Sequence, residues 1–112
     1  MFAKRKTIRY PTQARVRIAD FSACEILLKD LSITCGCIEA TMQLDIKSGD
    51  LYKVEIIPEQ AAKSEKFELQ VEPRWNRSSS YHCEIGFNIL AFPKGKMFQR
   101  YVDYLAWRNS SL

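Results

Sequence analysis

The feature that most narrows the fold of this chain is alternation. Three stretches place apolar and polar residues in turn, the period-two pattern of strands buried on one face. Val16 and Ile18 alternate with Arg15 and Arg17. Phe67, Leu69 and Val71 alternate with Glu68, Gln70 and Glu72, and Pro73 is expected to end that run. Cys83, Ile85, Phe87 and Ile89 alternate with His82, Glu84, Gly86 and Asn88. The apolar run Ile26-Leu27-Leu28 and segments 36–40 and 51–57 add further strands, the last led in by the turn Lys47-Ser48-Gly49-Asp50. Short strands at this spacing, with turn chemistry between them, predict a mainly β, antiparallel barrel or sandwich.

Near the end the period changes. After Pro93-Lys94-Gly95, the residues Met97, Phe98, Tyr101, Val102 and Leu105 recur at three- and four-residue steps. That is one apolar stripe of an amphipathic helix over about residues 96–108, closing with Trp107 and Arg108. Packing against the barrel is its expected role, and docking a partner protein is the sharper alternative. The 112 residues have room for one core, so 1–112 is read as a single domain. A chain 46% hydrophobic and 27% charged is not disordered throughout. No apolar run approaches the roughly 18 residues that span a bilayer, so no membrane span is expected. The basic start Met1-Phe2-Ala3-Lys4-Arg5-Lys6 has no apolar segment behind it, which argues against a secretory signal and for a cytoplasmic location.

Outside a secretory context the four cysteines, Cys24, Cys35, Cys37 and Cys83, read as free thiols. No metal site is expected. Cys35 and Cys37 share one face of a strand, but adjacent His82 and Cys83 point to opposite faces, and no spacing matches a zinc knuckle. The net charge of +4 is unevenly placed: Lys4, Arg5, Lys6, Arg9, Arg15 and Arg17 all precede the first acidic residue, Asp20. Residues 1–13 therefore read as a flexible basic arm with an attraction for phosphate.

Two short motifs carry recognition chemistry. The first is Arg5-Lys6-Thr7-Ile8-Arg9; the second is Asp30-Leu31-Ser32-Ile33-Thr34-Cys35-Gly36, between two expected strands. Together they suit guanine and phosphate. Arginine presents a bidentate fork to guanine O6 and N7, or holds a phosphate. The Asp30 carboxylate accepts from guanine N1 and N2 hydrogens, and the Ser32 hydroxyl bonds a phosphate or base edge. Gly36, without a Cβ, lets a ligand or backbone come close.

In this order the motifs resemble those of the PilZ family, R-x-x-x-R followed by D/N-x-S-x-x-G, read here with Arg5, Arg9, Asp30, Ser32 and Gly36 as the signature residues. The resemblance extends over nearly the whole chain, through the strand from Phe67 to Trp75, the strand from Tyr81 to Phe87 and the closing helix. It implies a six-stranded antiparallel β-barrel with a C-terminal α-helix and a cyclic di-GMP site on the outer barrel surface. Arg5 and Arg9 would grip guanine and phosphate, and Asp30, Ser32 and Gly36 would complete the pocket. Trp75 is similar in position to a tryptophan that some members stack on a guanine, with packing in the barrel wall as the plain alternative. Lys4, just before the first arginine, bears on whether one ligand or a stacked pair binds.

The implied function is a bacterial cyclic di-GMP receptor or adaptor without cofactor or catalysis. It would change surface on binding and signal to a separate protein effector, in motility, exopolysaccharide (biofilm) or pilus control. Two rivals stand beside it. One is a degenerate adaptor of the same fold that binds no nucleotide. The other is a small nucleic-acid-binding barrel, although no nucleic-acid partner is expected. An enzyme has least support, since the single histidine has no nucleophile at a recognisable spacing and no P-loop is present.

Overall fold

In the computed structural model, which describes residues 8–21, 24–91 and 96–110, the alternating segments become a closed antiparallel sheet. The strands are β1 (Tyr10–Pro11), β2 (Arg15–Arg17), β3 (Ile26–Leu31), β4 (Cys35–Ala40), β5 (Tyr52–Ile57), β6 (Phe67–Ser78) and β7 (Cys83–Ala91). Helix α1 spans Met97–Ser110. Neighbours run β2-β5-β6-β7-β4, and β3 pairs with both β4 and β2, which closes a six-stranded barrel. The short β1 extends the β2 edge by pairing with the far end of β3, Tyr10 opposite Leu31. Closure removes the unpaired edges on which sheets aggregate.

The alternation predicts the core correctly. Val16, Ile18, Ile26, Leu28, Ile38, Val54, Ile56, Leu69, Val71, Ile85 and Phe87 are all buried inside, while Arg15, Arg17 and Glu68 face out. Burying each such aliphatic side chain contributes about 1.5–3 kcal/mol. One expectation is corrected. Pro73 does not end its strand: β6 continues to Ser78, and the register shifts between Pro73 and Trp75. A bulge accommodates a residue without an N–H, so the ladder resumes beyond it.

Helix α1 places Phe98, Tyr101, Val102 and Leu105 against the core, with the Phe67 ring 5.8 Å from Phe98 and 5.9 Å from Tyr101. A polar clamp fixes the helix in place. The Tyr101 hydroxyl donates to Glu59 Oε1 at 2.6 Å, Arg108 Nη1 donates to Glu59 Oε2 at 3.0 Å, and Arg108 Nη2 donates to the Pro11 carbonyl. Burial and the Glu59 bond push the Tyr101 phenol far above its ordinary range. The leading segment is part of the sheet from Tyr10 onward, because Thr12 Oγ1 donates to the Leu28 carbonyl at 2.6 Å and Thr12 N to that of Lys29. The expected arm, 1–13, is thus anchored along 10–13. Its residues 1–7, and the Pro93-Lys94-Gly95 turn, lie outside the described residues. Among the described residues no helix is long and apolar enough to cross a membrane.

Candidate functional site

The second motif folds into the turn between β3 and β4, and two irregularities decide which of its residues face outward. A bulge between Leu28 and Asp30 makes Lys29 the extra residue, so Asp30 lies opposite Cys37 on the outer face. The bulge in β6 does the same for Trp75, which lies opposite Gly86. Cys37 is itself paired with Gly86. Asp30, Cys37, Gly86 and Trp75 therefore form one lateral row across four adjacent strands, spanning three inter-strand steps, or roughly 14 Å. Pro11 continues the row beyond Asp30.

Arg9 sits at the Asp30 end, its Nη1 3.9 Å from Asp30 Oδ1. That separation is an ion pair without a hydrogen bond. Among the described residues, Asp30 Oδ1 is buried and has no hydrogen-bond partner. Burial, the larger influence, raises the Asp30 carboxyl above its ordinary value, and the Arg9 and Lys29 charges offset only part of this. An acceptor removed from water without a donor costs stability unless something supplies one.

Trp75 lies at the other end. A Cβ on Gly86 would fall 2.2 Å from Trp75 Cε2 and 2.3 Å from Nε1, so the indole lies flat across that glycine. Trp75 is 36% exposed, with the Arg77 guanidinium 5.2 Å from its ring centroid. Trp75 is therefore an outer-wall residue with solvent access.

Ser32 and Gly36 take different places from those the motif reading gives them. Ser32 is 1% exposed, and its hydroxyl is engaged inside the turn. Oγ accepts from Thr34 N at 3.2 Å and Cys35 N at 3.1 Å, and donates to the Cys35 carbonyl at 3.2 Å. It shapes the turn, as serine side chains commonly do. Gly36 faces the core: a Cβ there would meet Phe87 Cζ at 2.7 Å and the Asp30 carbonyl at 2.9 Å. The close approach it permits is by an aromatic ring and backbone of its own barrel. Counted strictly, D/N-x-S-x-x-G puts glycine at position 35, where this chain has Cys35, and Gly36 follows one residue later. This corrects the reading of Gly36 as the signature glycine.

Cys35 is half-buried beside Ser32 Oγ, at 3.4 Å. Burial alone would raise its thiol, but hydrogen bonds with Ser32 and Arg9 outweigh that and hold it below its ordinary value. Cys37 is the opposite case: burial, with Asp30 and Glu84 nearby, pushes its thiol up to about 11. Arg5 and Lys4 lie outside the described residues. The structure thus brings Arg9, Asp30 and Trp75 to one face, with Ser32 and Gly36 holding that face from beneath. Cys35, Cys37 and Gly86 were missed from the sequence as site neighbours. A glycine at a polar-phase position within a strand, as at Gly86, is the signal that marks a close approach. A cavity of about 330 Å³ lined by Arg15, Arg17, Phe21 and Glu25 contains none of these residues. An apolar hollow of about 210 Å³ between Ile8, Tyr10, Ile33 and Val102 adjoins the motif turn.

Comparison with known proteins is informative at the level of fold. No family model matches the sequence, and no curated protein does. Among solved structures, the barrel and helix match the Bacillus subtilis inhibitor of motility, MotI/DgrA, with a TM-score of 0.73 at 15% identity. The match covers 98% of this chain and 53% of that one, so this chain spans about half of that protein's length.

Proposed function

We propose that this protein is a cyclic di-GMP-binding adaptor that acts by changing the surface it offers to a separate protein effector. The observation that carries this reading is the buried Asp30 Oδ1 beside Arg9, without a hydrogen-bond donor among the described residues, in the same outer row as an accessible indole. Guanine fits that arrangement. The N1 and N2 hydrogens of one base supply donors for Asp30 Oδ1 and its O6 and N7 accept the Arg9 fork, while the second guanine of a dinucleotide stacks on Trp75. A span of roughly 14 Å between the two ends suits a dinucleotide better than a single base. Arg5 and Lys4 would add phosphate contacts from the leading segment, drawing it against the barrel. The fold likeness to an inhibitor of motility supports an output through protein contact, with motility as the first pathway to examine.

Calorimetry with cyclic di-GMP, with GTP, cyclic di-AMP and single-stranded DNA as controls, tests this directly. Saturable binding of cyclic di-GMP and weak binding of the others is the expected result. Two ligands per chain are expected at high concentration, and Lys4→Leu should lower the count to one. Binding to DNA with steep salt dependence and no guanine preference would instead support a nucleic-acid barrel. A second reading, the degenerate adaptor that binds no nucleotide, is favoured by one observation: Cys35 puts a side chain where the motif has glycine. No heat with any nucleotide would select it.

A further inference from the structure

One row along the barrel from Asp30 and Trp75, the outer face carries a second cluster. The β4–β7 register sets Glu39 opposite Glu84, and His82 precedes Glu84 by two residues, on the same side. Two carboxylates directly opposite each other repel unless a cation stands between them. His82 Nε2 is 3.0 Å from Glu39 Oε2 and 4.0 Å from Glu84 Oε2, and the three ligating atoms all lie within 4.8 Å of one another. Ligands about a tetrahedral Zn²⁺, at bond lengths of about 2.0–2.2 Å, stand roughly 3.3 Å apart, so small side-chain rotations bring all three onto one ion. A hollow of about 120 Å³ bounded by Glu25, Leu27, Glu39, Thr41 and His82 opens beside the cluster and leaves room for a fourth ligand. An imidazole with two carboxylates suits Zn²⁺, Co²⁺ or Ni²⁺ better than Mg²⁺ or Ca²⁺, which prefer oxygen alone.

The cluster already has cationic company. Lys29 Nζ is 2.6 Å from Glu84 Oε2, and Arg77 Nη1 is 3.8 Å from Glu84 Oε1. Both are long surface side chains that can swing into solvent. We propose that Glu39, His82 and Glu84 form a three-ligand site for a divalent transition-metal ion, with the Lys29 ammonium as a built-in competitor for Glu84. The ion takes over the charge balance that Lys29 supplies and releases that lysine, the bulge residue next to Asp30.

His82 is the only histidine in the chain, so its imidazole resonances report on this site alone. The full-length protein, labelled with ¹⁵N, is titrated with ZnCl₂ while the imidazole signals are followed, and affinity is read by competition with a chromophoric chelator. The imidazole should shift and saturate at one equivalent. His82→Ala and Glu39→Gln should each weaken binding about tenfold or more. Lys29→Ala should strengthen it a few-fold, because an exposed ion pair no longer has to be broken. Each of three results would overturn the proposal: a silent imidazole at one equivalent, affinity unchanged in His82→Ala (an ion held by the thiols), or weaker binding in Lys29→Ala. The variants are surface changes, and unaltered far-ultraviolet circular dichroism confirms that each result concerns the site.

Discussion

Two glycines on the paired strands β4 and β7 face opposite ways, and an aromatic ring takes up the space at each. Gly36 faces inward, where Phe87 and the Asp30 carbonyl fill the place of its missing Cβ; Gly86 faces outward and lies under Trp75. The approach is closer at Gly86, 2.2 Å against 2.7 Å from a Cβ, but the surroundings differ more. Phe87 is 3% exposed and held by core on every side, whereas Trp75 is 36% exposed and free to lift. Inside the wall, an unoccupied volume is a packing requirement. Outside, it leaves an adjustable surface on which a ligand can compete with the protein's own ring.

Substitutions test that contrast, beginning with the largest effect. Phe87→Ala should destabilise the fold by about 3–5 kcal/mol, because the core cannot collapse fully around the lost ring; urea unfolding reads this directly. Arg9→Ala and Asp30→Ala, on the outside, should each weaken cyclic di-GMP binding by about 2–3 kcal/mol, or roughly 30- to 150-fold, by calorimetry. Neither should lower the unfolding temperature appreciably. A large loss of stability with unchanged binding would reverse the assignment of the two faces. Gly36→Ala should cost about 1–3 kcal/mol by overpacking, since neither Phe87 nor backbone can yield cheaply. Gly86→Ala should cost less than about 1 kcal/mol, because the exposed indole swings aside, and tryptophan emission in a Trp107→Phe background should report the displaced ring.

The smallest effect concerns Asp30 and pH. Its carboxyl is raised in the folded protein, so between the unfolded and folded values the native state holds more protons than the unfolded chain. Stability therefore falls as pH rises through that window. Asp30→Asn removes this titration, and should leave the protein slightly more stable than wild type at neutral pH. The advantage should shrink as pH falls through the folded value toward about pH 3. An Asn variant less stable than wild type at neutral pH would mean that the Arg9 pair outweighs the burial cost.

The barrel was legible because a strand buried on one face records its inner residues at every second position, and Phe67, Leu69, Val71, Ile85 and Phe87 all sit where that pattern puts them. The helix was legible for the same kind of reason, from Phe98, Tyr101, Val102 and Leu105. The chemical types of Arg9, Asp30 and Trp75 were visible, but their shared row was not, because a register shift lies within β3 and another within β6. Side-chain commitments were also hidden. Nothing in the sequence says that the Ser32 hydroxyl is engaged within its own turn, that Gly36 looks inward, or that Glu59 joins Tyr101 and Arg108 across the helix.

The two bulges make the outer row a matter of parity. Paired without a bulge, Lys29 would take the place opposite Cys37 and push Asp30 to the inward one opposite Gly36; Arg74 would likewise take the place opposite Gly86 and push Trp75 to the inward one opposite Ile85. One residue left out of the ladder on each of two strands, on either side of the β4–β7 pair, keeps two side chains that regular pairing would turn inward at the ends of a surface row. Point substitutions vary the chemistry of such a row, whereas the position of each bulge decides which side chain stands in it. Divergence of this surface among barrels of the same shape is therefore best followed by locating the bulges, since moving one by a single residue exchanges the side chain that faces out.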